Sequence, residues 1–125
     1  AAGDRAMNLL TSEQRRAMLA NGTANAARIA DDGNTVDHEP VVKLLCPWGS
    51  GTWLLSELDP EEPDTAFGLC DLGVGCPELG SVSLAELASV RGPGGLGIER
   101  DRHFTAKKPL SAYATEARQA GGIVA

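Results

Sequence analysis

From Pro40 onwards the apolar residues gather into three short runs rich in strand formers, Val41–Cys46, Thr52–Leu58 and Thr65–Leu72, each closed by proline or glycine. The connection over 47–51 is hairpin-sized, and Asp59-Pro60-Glu61-Glu62-Pro63-Asp64 holds too much proline to continue a ladder. An antiparallel meander of three strands follows. Its middle strand places Trp53 and Leu55 on one face and Leu54 and Leu58 on the other, so cover is expected on both sides of the sheet.

Helical signals flank this region. Thr11-Ser12-Glu13-Gln14 is a capping box, in which a threonine oxygen and a glutamine three residues on satisfy each other's exposed backbone donors. The helix it opens is predicted to stop at Asn21-Gly22, with a second short piece through Ala24, Ala27 and Arg28 ending before Asp31-Asp32-Gly33-Asn34. Ser83-Leu84-Ala85-Glu86 opens a short middle helix, with Leu87 and Val90 at helical spacing and Gly92 as its stop. Ile98–Phe104 alternates like a fourth strand. Pro109 begins a last helix whose inner face is Leu110, Tyr113, Ala114 and Ala117, with Gly121 just past its end. The fold class is α+β, a small antiparallel sheet with N-terminal, middle and C-terminal helices.

At 125 residues the chain suits one domain, taken as residues 7–125, with residues 1–6 an extension ahead of Met7. Aromatic residues make up 4% and the net charge is −6, which disfavours direct nucleic-acid binding, since that draws on phosphate neutralisation and stacking platforms. No apolar run approaches the ~20 residues of a membrane span. The three cysteines, Cys46, Cys70 and Cys76, do not form an even disulfide framework, so a reduced, cytoplasmic setting is expected.

The charge is unevenly distributed. Residues 44–90 carry eight acids and no lysine, arginine or histidine, while residues 91–125 carry six bases against three acids. Five of the acids, Glu57, Asp59, Glu61, Glu62 and Asp64, fall in one short stretch, a candidate surface for a basic protein partner. A solvated loop between strands gives the same composition.

Motifs of enzyme chemistry are weak. Gly92-Pro93-Gly94-Gly95-Leu96-Gly97 has the spacing of a dinucleotide loop but follows a helix and precedes a strand, the reverse of the required context. Gly49-Ser50-Gly51-Thr52 lacks the lysine of a phosphate loop, and Asn21-Gly22-Thr23, a glycosylation pattern, has no secretory signal beside it. Cys46, Cys70, Cys76 and His103 are zinc-ligand types, but Cys70 and Cys76 are spaced too widely for a zinc knuckle; no metal or cofactor is expected. Arg100-Asp101-Arg102-His103 concentrates groups able to handle phosphate or move protons, with Asp101 and His103 on one strand face and the arginines on the other. Asp71 and Glu78 flank a glycine-rich turn and complete the site if the strands are neighbours.

Three stretches, Phe67–Gly73 running into Cys76–Gly80, Arg91-Gly92-Pro93 with Gly97–Asp101, and Pro109–Tyr113, together resemble an uncharacterised bacterial family, domain of unknown function 2958. The resemblance spans Met7 to Val124. It implies the company of plasmids and other mobile elements, with their transfer, maintenance and anti-defence genes, and assigns no catalytic or binding residue. The expectation is a non-enzymatic accessory protein acting by protein binding, with an acidic segment that imitates DNA. The alternative is a small hydrolase or phosphate-handling enzyme using Asp71, Glu78, Asp101 and His103.

Overall fold

The computed structural model describes residues 9–125; the extension expected at residues 1–6 lies outside the described residues. The elements in chain order are α1 (Ser12–Ala30), β1 (Val42–Leu45), β2 (Thr52–Leu58), β3 (Thr65–Asp71), β4 (Glu78–Ser83), α2 (Leu84–Ser89), β5 (Glu99–Arg100) and α3 (Leu110–Ala120). The strands form one open antiparallel sheet in the order β4-β3-β2-β1-β5. The α+β class and the β1–β2–β3 meander are as expected. The sheet is larger than expected by β4, whose Glu78-Leu79-Gly80-Ser81 has too few strand formers to announce itself.

Two apolar clusters hold the sheet from its two faces. One joins Met18 of α1 and Leu84, Leu87 and Ala88 of α2 to Val42, Leu44, Trp53, Leu55, Leu58 and Ala66. The other joins Leu110, Tyr113, Ala114 and Ala117 of α3 to Leu54 and Leu69. Fully burying one such leucine contributes roughly 1.5–3 kcal/mol. The face predicted for α3 is the buried face observed, and the helix closes at Gly121 as predicted.

Leu58 sits with Trp53 and Leu55, not with Leu54 as strict alternation requires. The cause is a β-bulge: Leu55 pairs with Gly68 and Glu57 with Phe67, so Ser56 is an extra residue in β2 and shifts the face of everything after it.

Asn21-Gly22 does not end a helix. α1 runs unbroken from Ser12 to Ala30, so the predicted second piece is its own last turns. The reason is tertiary. Of β2, only Thr52–Leu55 pairs with β1, which leaves the rest of β2 without a strand on that side, and α1 packs there. Asn21 Nδ2 donates to the Ser56 carbonyl at 2.9 Å, and Asn25 Nδ2 donates to Glu57 Oε2 at 2.8 Å. A Cβ on Gly22 would stand 1.7 Å from the Leu58 carbonyl oxygen, so only glycine permits this approach. The Thr11–Gln14 capping box forms with both of its bonds.

The fourth strand predicted over Ile98–Phe104 is reduced to Glu99–Arg100. Asp101 N–H still bonds Lys43 O, but Asp101 Oδ1 then accepts from His103 N–H and the chain turns, ending the alternation expected for Arg100–His103. α2 likewise stops at Ser89, before Gly92. Its start uses Ser83 Oγ, which accepts from Glu86 N–H, and the second cap comes from Asp64 rather than from the Glu86 side chain.

Candidate functional site

The four candidate acid–base residues are not brought together. Glu78, Cys70, Trp53, Leu44 and Arg100 form one row across the sheet, and Asp71, Thr52, Leu45 and Glu99 form the next. At about 4.8 Å per strand, Glu78 lies four strands or ~19 Å from β5, and Asp71 three strands or ~14 Å. A general acid and base must reach one substrate atom, which that span forbids.

Each aspartate of the set has a structural task. Asp71 is buried; its Oδ1 accepts from Gly73 N–H at 2.8 Å and its Oδ2 from Ile123 N–H at 2.9 Å, tying the segment after α3 to the end of β3. Asp101 Oδ2 lies 3.6 Å from Lys43 Nζ, while its other oxygen forms the turn with His103. Glu78 and His103 are exposed.

Asp101 and His103 do share a cleft of about 910 Å³ with Arg91, Arg100, Arg102 and Ile98. Arg91 is held there by Nη1 bonds to Ala88 O in the last turn of α2 and to Val90 O just past its end. The glycine-rich loop beside it spends its amides internally, Gly92 N–H on Leu96 O and Gly95 N–H on Gly92 O. A Cβ on Gly92 would fall 2.3 Å from the Trp48 ring, so that glycine serves close packing and the dinucleotide reading lacks the helix it needs.

The acidic stretch runs from Glu57, near the end of β2, through a hydrogen-bonded loop over 59–64 to β3. Glu57 accepts from Asn25, and Asp59 Oδ1 accepts from Glu61 N–H at 2.9 Å. Asp64 Oδ2 accepts from Ser83 Oγ at 2.6 Å, and its Oδ1 from Ala85 N–H at 2.9 Å. All of these donors are neutral. Among the described residues no lysine or arginine forms an ion pair with any of the five acids, and Glu61 and Glu62 are exposed at the loop tip. Order is thus imposed on the loop without removing its charge.

Cys46 and Cys70 pack partly buried against the first cluster, and burial pushes the Cys70 thiol up from its ordinary value; Cys76 is exposed in the turn before β4. Among the described residues no three of His, Cys, Asp and Glu gather as metal ligands, and no helix is long and apolar enough to cross a membrane. The residues that sequence reasoning missed are Asn21 and Asn25, which serve β2, and Asp37, which accepts from Ser111 N–H and Oγ at the start of α3. Only the first turn of α3, with no capping side chain of its own, hints that one comes from elsewhere.

The described chain is therefore a small α+β protein with two surfaces of contrasting charge, a polar arginine-bearing cleft and an ordered acidic loop. The family model described as protein of unknown function (DUF2958) matches residues 9–124, and the chain belongs to that family. No curated protein and no solved structure matches it.

Proposed function

We propose that this chain is a non-enzymatic accessory protein that acts by binding a basic protein partner through the acidic β2–β3 loop. The observation that carries the reading is the charge state of this stretch: five carboxylates, of which Glu57, Asp59 and Asp64 accept only from neutral donors, with no cation paired to any of the five among the described residues. A rigid negative surface steers a cationic partner and weakens as salt shortens the screening length to ~8 Å. The plasmid and mobile-element company implied by the family resemblance fits an anti-defence role in which the loop stands in for DNA. The small-enzyme alternative loses support from the ~14–19 Å between its halves.

The test replaces Glu61 and Glu62 with glutamine, which spares the acids that hold the fold. Wild type and variant are used as bait in extracts of a host carrying the element, across a salt series. A protein captured by wild type at low salt, lost with the variant and displaced by duplex DNA is the expected result. The same proteins captured by both baits with the same salt dependence refute the reading.

A further inference from the structure

The outer edge of β4 has no backbone partner among the described residues. Sheet edges are ordinarily guarded by lysine, proline, a bulge or brevity. β5, the opposite edge, is only two residues long and ends in a turn. β4 runs for six residues in regular pairing with β3, and Leu79–Ser83 holds no charge and no proline.

The surface beside this edge is apolar. Leu79 pairs with Leu69 and Ser81 with Phe67, so the side chains of Leu79, Ser81 and Phe67 share one face, beyond the part that α3 covers. Leu79 is 39% and Phe67 37% exposed. Ser81 is short, and a side chain set opposite it on an added strand lies across it onto the Phe67 ring. A groove of about 270 Å³ continues from there, walled by Ala26 and Ile29 of α1 and by Glu57 and Asp59.

Charge selects the occupant. Glu78 opens β4, and at its other end Ser83 pairs with Thr65 and bonds Asp64, which brings the acidic loop alongside. An added strand thus has acids at both of its ends. A second copy pairing antiparallel on β4 sets Glu78 of each chain against the acidic loop of the other, and each copy carries −6.

Resting on the reading of a basic partner, we infer that β4 and its groove take an extended segment of that partner as a sixth strand, with alternate apolar side chains on Leu79 and Phe67 and lysine or arginine at both ends. Main-chain bonds supply the affinity in such strand addition, and the alternate pockets supply the selectivity.

The probe is a short capped peptide with an alternating valine–threonine centre and lysine pairs at both ends, compared with one ending in glutamates and one N-methylated at alternate centre residues. The lysine peptide is expected to bind at least about tenfold tighter than either control, and to slow amide hydrogen exchange within Leu79–Ser83. Ser81→Lys is expected to abolish binding while the variant still melts cooperatively. Equal binding of the N-methylated or glutamate peptide, protection confined to the acidic loop or the arginine cleft, or β4 protection that grows with protein concentration without peptide each overturns the inference, the last in favour of a second copy. The two readings separate cleanly. Loss of peptide binding in E61Q/E62Q with none from Ser81→Lys or N-methylation leaves the acidic surface and removes the sixth strand; the opposite pattern does the reverse.

Discussion

Gly22→Ala is the substitution on which local and tertiary reasoning disagree in sign. Inside a helix, alanine is favoured over glycine by about 1 kcal/mol, so propensity alone predicts a more stable protein. In the fold, the new Cβ would stand 1.7 Å from the Leu58 carbonyl oxygen and 2.8 Å from its carbon, and both are backbone atoms that cannot rotate away. α1 must retreat by more than an ångström, a displacement that also breaks the bonds from Asn21 to Ser56 O and from Asn25 to Glu57. Overpacking costs ~1–3 kcal/mol, and each lost bond ~0.5–1.5 kcal/mol. Less the propensity gain, the expected destabilisation is about 1–5 kcal/mol, or roughly 4–20 °C in Tm for a chain of this size. Urea unfolding followed by fluorescence of the buried Trp53 measures it, with Ala24→Gly, at an exposed position of the same helix, as the control losing only ~1 kcal/mol. A Gly22→Ala protein as stable as wild type or more so refutes the packing of α1 on β2.

Asp71→Asn leaves Gly73 N–H or Ile123 N–H facing an amide donor and is expected to cost about 1–3 kcal/mol in chemical denaturation, whereas His103→Ala at an exposed position stays within about 0.5 kcal/mol. Asp64→Ala removes a cap of α2 and is expected to lower stability by ~1 kcal/mol, against a change below ~0.5 kcal/mol for E61Q/E62Q, so only the latter is a clean probe of binding. In pulsed alkylation read by mass spectrometry, the exposed Cys76 is modified first and Cys70 last. Because burial raises the Cys70 thiol above its ordinary 9.0, the unfolded chain ionises first, and folding stability is expected to fall as pH climbs past that value; a Cys70→Ala variant that loses the same stability over this range argues against Cys70 as the cause.

Local signals in the sequence determined what local physics can decide. The Thr11–Gln14 box, the strand-forming runs around Trp53 and Leu69, and the amphipathic face from Leu110 to Ala117 each act within a few residues, and each stands in the fold as the pattern implies. Tertiary structure decided the rest through contacts distant in sequence. Asn21-Gly22 has the composition of a helix stop and is helix interior only because β2, more than thirty residues away, presents bare carbonyls to it. Ser56 carries no local mark of a bulge, yet its extra place in the ladder moves Leu58 to the other face. Strand β4 exists because β3 offers it a full ladder, which outweighs the weak strand preference of its glycine and serines. The same holds for the site: clustering of acids is visible along the chain, but that their bonds come from neutral donors is a matter of where Asn25, Ser83 and Ala85 lie in space, and the separation of Asp71 and Glu78 from Asp101 and His103 follows from strand order, which no local pattern encodes.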